Sequence, residues 1–196
     1  MSEWIPAADP AAQAKYQVRF DQGVEGVARI AGAADVLVWV DQVVTDAGGG
    51  AFDASASPAV PAEALEAAPL AAVVVAGLHD AAAVAAWILA EQERLGRRAY
   101  LAVVAAGRAD GGFAADDVLA AGAVVDALTE LGIDDTSPEA AVASFAFTGL
   151  RRAAAHLATA SVSGRAAIAA GVDPVVLRRA AVRDHRARVR VIRVRP

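Results

Sequence analysis

Val36-Leu37-Val38-Trp39-Val40, closed by Asp41, is the stretch that decides the fold. Its apolar residues run without a break, so no polar face alternates with an apolar one. A strand of this kind is covered on both sides, as in the interior of a parallel sheet. Two further runs, Leu70–Val75 and Ala99–Val104, have the same character. Between them Asp80 reads as the cap of a helix reaching about Leu95, with Gly96 as its stop. After the third run come a glycine-rich turn, Gly107–Gly112, and a helix from Ala114 to Leu131.

The flanks fit the same alternation. Gln17–Asp21 reads as a strand and Gly23–Ile30 as a short helix with Val24, Val27 and Ile30 on one face. Ser137-Pro138-Glu139 opens a helix to about Leu157, serine capping and proline in the first turn. Ser163–Ala170 is a short helix ended by Gly171, Asp173-Pro174 opens another, and Val189–Val194 reads as a last strand. Strands alternating with helices predict a three-layer α/β/α domain with a mainly parallel or mixed central sheet. The strands near 36–41, 71–75 and 99–104 are expected at its centre. One domain is expected over 15–196, after a loose segment at 1–14. Residues 46–62, with Gly48-Gly49-Gly50, Pro58 and Pro61, read as a loop.

Composition narrows the function. The 196 residues suffice for one sizeable core. Cysteine is absent, which excludes disulfides, thiolate metal sites and a cysteine nucleophile. No stretch approaches the ~20 apolar residues of a membrane span, and the start of the chain lacks the pattern of a signal peptide. A cytoplasmic protein without membrane contact is expected. The net charge of -5 argues against a nucleic-acid binder. The charge is uneven, with eight arginines against the single acid Asp184 over residues 178–195. These read as charges guarding an edge strand, as an anion site, or as a subunit contact in a homo-oligomer.

In a parallel sheet, ligands bind beyond the C-terminal strand ends. That rule places Asp41, Gly77–Asp80 and Gly107–Asp117 on one rim. A carboxylate fixed at a strand end, such as Asp41, can hold magnesium or position a nucleophile. Asp116 and Asp117 point about 100° apart on a helix, so one could face the rim while the other caps. Alternatively, both simply favour the helix N-terminus through its dipole. Gly107-Arg108 offers backbone N–H groups beside a guanidinium, and Ser161-Val162-Ser163-Gly164-Arg165 offers hydroxyls, amides and an arginine at a helix start. Either could hold a phosphate, and the second is equally an ordinary serine cap. Of the histidines only His79 falls on a rim loop. Trp39 and Trp87 read as core.

The order of these pieces resembles the 2-phosphosulfolactate phosphatase family. Lys15–Gly23 and Val36–Asp41 resemble its opening. Val75-Ala76-Gly77-Leu78-His79-Asp80, running into an alanine-rich helix, is similar to a segment where the family has a glycine and an asparagine. Val104-Ala105-Ala106-Gly107-Arg108, then Asp116-Asp117, resembles its Ala-Gly-Arg turn and acidic pair. Ser163-Gly164-Arg165 and Gly171 resemble a helix start near its C-terminus. The resemblance covers about residues 15–45 and 70–195. The chain departs from the pattern after Asp41, where Gln42-Val43-Val44-Thr45 replaces a segment containing arginine and serine. It contains no asparagine at all, and it is short between Thr45 and Leu70.

The resemblance implies magnesium-dependent hydrolysis of a small phosphate monoester. It implies catalytic roles for Asp41, Asp117 and Arg108 and metal ligands from Asp41, Asp116 and Asp117. Substrate contacts are implied for Gly107, Asp80, Ser163, Gly164 and Arg165. Because motif groups are missing, a non-catalytic member that keeps anion binding or a scaffold role is the alternative. The expected partners are a small phosphate ester or an inorganic anion.

Overall fold

The computed structural model describes residues 9–44, 59–183 and 188–195. Five strands form one sheet in the order β1-β4-β2-β3-β5. They are β1 (Val18–Gln22), β2 (Val36–Val40), β3 (Ala72–Ala76), β4 (Leu101–Ala105) and β5 (Arg190–Arg193). The first four run parallel, with Val38 level with both Val74 and Val103. The last pairs antiparallel to β3. The three apolar runs are β2, β3 and β4, and every residue in them is buried. None lies on an edge.

The faces of these strands divide by parity, as a pleat requires. Val36, Val38 and Val40, with Val74 and Val103, face a core built with α3 (Ala81–Leu95), α4 (Ala115–Glu130) and α5 (Pro138–Leu150). Leu37, Trp39, Val73, Val75 and Val104 face a smaller core with Val27 and Ile30 of α1 (Gly23–Ile30) and Ala64 of α2 (Ala62–Ala67). The result is the three-layer α/β/α fold. Alanine dominates the helices, so they approach closely. A Cβ on Gly122 of α4 would stand 2.0 Å from the Ala143 carbonyl oxygen of α5.

Local chemistry sets most boundaries. Ser137 Oγ accepts the Ala140 N–H at 3.1 Å and Pro138 begins α5. Asp173 accepts the Val175 N–H at 2.8 Å ahead of α8 (Pro174–Ala180). Two expectations need correction. The helix expected from Ser137 to about Leu157 is broken. It ends at Leu150, passes through a 3-10 turn at Arg151–Ala153 and resumes as α6 (Ala154–Ala160). The cap of α7 (Val162–Ala169) is Ser161, which accepts the Gly164 N–H at 3.0 Å, so Ser163 lies inside that helix. Within the expected 46–62 loop and the 1–14 segment, residues 46–58 and 1–8 lie outside the described residues. Pro10–Ala12 forms a 3-10 turn capped by Asp9.

The C-terminal arginines hold the edge strand down. Arg193 donates to the carbonyls of Ala71 and Leu65 at 3.1 Å each and to that of Ala68. Arg195 pairs with Asp35 at 2.7 Å and Arg190 with Asp80 at 3.2 Å. Arg183 pairs with Glu130 at 3.2 Å. No helix among the described residues is long and apolar enough to cross a membrane.

Candidate functional site

Strands β2 and β4 are neighbours, yet the helices that follow them cover opposite faces of the sheet. The next described helix after β2 is α2, on the Trp39 face; the next after β4 is α4, on the Val38 face. Loops leaving adjacent strands toward opposite faces open a crevice at the C-terminal ends. A cleft of about 840 Å³ lies there. Asp41 ends β2 and lines it, as do Gly107 and Arg108 after β4, Asp117 and Ser163. Trp39 and Glu25 also line it.

Asp117 ties the two strand ends together. One carboxylate oxygen accepts the Gln42 N–H and the other the Gly107 N–H, each at 2.9 Å. Neighbouring Asp116 turns elsewhere, accepting the Ser163 hydroxyl at 3.2 Å through Oδ1. Its Oδ2 is buried with no hydrogen-bond partner. Neither aspartate caps α4, contrary to the expectation for one of them; Ala114 occupies the cap position without a side-chain bond.

All three aspartates hold protons more tightly than usual. Burial, then the Asp116 charge, pushes Asp41 up to about 6, against the Val43 N–H and Arg190. Burial raises Asp116, with the Ser163 and Ser161 side chains opposing. Burial, then the charges of Asp41 and Asp116, drives Asp117 well upward, against the Gln42 and Gly107 N–H groups. The Gln42 and Gly107 N–H groups favour the ionised Asp117 but do not outweigh its burial and the two neighbouring charges. The repulsion is shared by the whole cluster, and a proton or a cation relieves it.

The other sequence candidates have structural partners. The Gly107 N–H expected for an oxyanion is taken by Asp117. Arg108 pairs with Asp110 at 2.5 Å in the same turn. The Gly164 N–H is taken by Ser161, while Arg165 is exposed. Asp80 stands at the cap position of α3 as expected, but its side chain makes no cap bond. Its Oδ1 accepts the Gly77 N–H at 2.7 Å, and its other oxygen pairs with Arg190. His79 is exposed and lies 3.2 Å from the Val182 carbonyl through Nδ1. Gln42 accepts the Leu78 N–H at 2.7 Å and donates to the Ala180 carbonyl at 3.3 Å.

Two residues of the cleft lining with polar or aromatic side chains escaped sequence reasoning. Glu25 was findable, because β1 ends at Gln22 and the strand-end rule places the next residues on the same rim. Trp39 belongs to the core as expected but also reaches the cleft, and its Nε1 is buried without a partner. No residue pattern announces that.

Magnesium can be tested against this donor set. Among the described residues, no three carboxylate or imidazole groups close into a metal cage. Magnesium rarely needs one, since it keeps waters and binds through one or two carboxylates plus substrate phosphate. Asp41 lines the cleft and feels the charge of Asp116 behind it, and the orphaned Asp116 Oδ2 is an acceptor without a donor. Among known proteins, the chain matches no family model and no curated protein.

Proposed function

We propose that the chain is a divalent-cation-dependent hydrolase of small phosphate monoesters, the activity that its resemblance to the 2-phosphosulfolactate phosphatase family implies. The observation that carries this reading is the pair Asp41 and Asp116. Both carboxylates are depleted of water and raised in pKa, and one has a buried oxygen with no partner. Such a pair suits magnesium, which would neutralise charge on a bound phosphoryl group. Asp41, on the cleft wall, would meet such an ion as a carboxylate, because a bound cation offsets the burial and the Asp116 charge that raise its pKa. Asp117 acts as a positioning residue, fixing the Gln42 and Gly107 backbones. Arg108 reaches phosphate only by leaving Asp110.

The partnered state of the Gly107 N–H, the Gly164 N–H and Arg108 favours a second reading, a non-catalytic member of the same scaffold. One experiment separates the two. Turnover of 2-phosphosulfolactate and a panel of small phosphate esters is measured with and without magnesium, for the wild type, Asp41→Asn and Asp116→Asn. The hydrolase reading expects magnesium-dependent turnover that falls by roughly 10² or more in both variants. No turnover on any ester, or turnover indifferent to both substitutions, overturns it.

A further inference from the structure

Helix α5 is apolar on two sides, and only one is used. Ala140, Ala143 and Phe147 are buried against the rest of the fold. On the opposite side Val142 and Phe145 are 70% and 78% exposed. Gly149 continues that line, giving the spacing 142, 145, 149 along one stripe of α5, and Arg152 follows in the 3-10 turn just past its end. Gly149 lies in the last turn of α5, and no contact inside the chain requires a glycine there. A Cβ there would meet nothing within 4 Å, and its backbone is not left-handed. An exposed helical glycine is a poor helix former, so its value lies in letting something outside come close.

The charges along the stripe indicate what comes close. Glu139 stands at one end and Arg152 at the other, both exposed. Neither has an ion-pair partner among the described residues. A helix with an acid at its start and a base at its end is complementary to itself when reversed. We propose that α5 is the contact of a two-fold homodimer, packed antiparallel against α5 of a second copy. Phe145 of each copy fills the space over Gly149 of the other. In that register the end of one α5 meets the start of the other, so Arg152, just past Leu150, comes beside the first turn of the second copy's α5, where Glu139 stands. A two-fold axis makes every such contact twice. One helix pair about 20 Å long is a small interface, so the dimer depends on concentration.

The test is sedimentation of the full chain over a concentration series. The wild type is expected to shift from monomer to dimer. Phe145→Lys, at an exposed position that leaves the fold intact, is expected to stay monomeric. Glu139→Arg places like charges together and is expected to weaken the dimer roughly tenfold or more, whereas Glu139→Arg with Arg152→Glu restores it. A wild type that stays monomeric throughout overturns the proposal. So does a dimer that survives Phe145→Lys, or a double charge swap that fails to recover what the single one loses.

Discussion

The Asp117 carboxylate accepts the Gly107 backbone N–H at 2.9 Å, across the opening between β4 and α4. Its other oxygen takes the Gln42 N–H. The crevice at the switch of strand order is therefore held by one side chain. Removing it strands one buried donor and one half-buried donor, the buried one at about 1–3 kcal/mol, offset by relief of repulsion with Asp41 and Asp116. Asp117→Ala is expected to cost about 2–3 kcal/mol, read from the urea midpoint. Asp117→Asn is expected to recover little, because an amide offers one oxygen to two N–H groups. An Asn variant as stable as the wild type would show that the clamp does not depend on the carboxylate.

Asp41 makes stability depend on pH in the sense opposite to a salt-bridged acid. Its pKa is raised from 3.8 to about 6. A raised carboxylate pKa means the native state binds its proton more tightly than the unfolded chain does. The contribution is complete below 3.8 and is lost as pH rises through about 6. The rise corresponds to roughly 3 kcal/mol. Thermal unfolding of the wild type is expected to weaken across that window relative to Asp41→Asn, whose side chain does not titrate. Magnesium is expected to restore the wild type above the window and to leave the variant unchanged. Parallel pH curves for the two proteins would rule this out.

Gly122 fixes the distance between α4 and α5. A methyl group there would stand 2.0 Å from the Ala143 carbonyl oxygen and 3.0 Å from Phe147 Cβ. The first obstacle is backbone, so the helices must part. Gly122→Ala gains helix propensity of about 1 kcal/mol, yet it is expected to destabilise by about 2–3 kcal/mol through overpacking. Chemical denaturation measures the sum, and a neutral or stabilising result would show that the two helices slide freely.

The apolar runs made β2, β3 and β4 legible, because burial on both faces leaves no other composition open to a strand. Ser137-Pro138 and Asp173-Pro174 gave two helix starts through chemistry local to the chain. The break at Arg151–Ala153 was hidden, since no proline marks it and Gly149, two residues ahead, stays helical rather than left-handed. The cleft was legible as far as the strand-end rule reaches, which covers Asp41, Gly107 and Asp117. What each side chain does there was not. Asp117 finds its donors 75 and 10 residues away, and the antiparallel β5 brings Arg190 to Asp80 across 110. Partners set by tertiary packing leave no mark on local spacing. That is why the Gly107 amide read as free for an anion when it is already bonded.

Strand β2 carries a second aspartate at its other end, with the opposite electrostatics. Asp35, just before β2, is 4% exposed. It accepts two N–H groups of Arg97 at 2.8 Å each and the Tyr100 N–H at 2.9 Å, and it pairs with Arg195 at 2.7 Å. Burial alone would raise its pKa, but Arg97, the Tyr100 N–H and Arg195 together carry it below 3.8. A depressed carboxylate stabilises the fold above its unfolded pKa, and the gain is lost as pH falls through the folded value. Asp35 thus favours the native state at neutral pH, where Asp41 opposes it. Asp35→Asn is expected to lower the melting temperature at neutral pH and to flatten the loss on acidification below 3.8. The amide must present an N–H₂ group toward guanidinium donors, so the substitution preserves shape without preserving the bonds. The measurement is thermal unfolding as a function of pH for the wild type, Asp35→Asn and Asp41→Asn. The two variants should depart from the wild type on opposite sides of its stability maximum. If Asp35→Asn instead tracks the wild type into acid, the bonds to Arg97 and Arg195 do not set the stability of this end of the sheet.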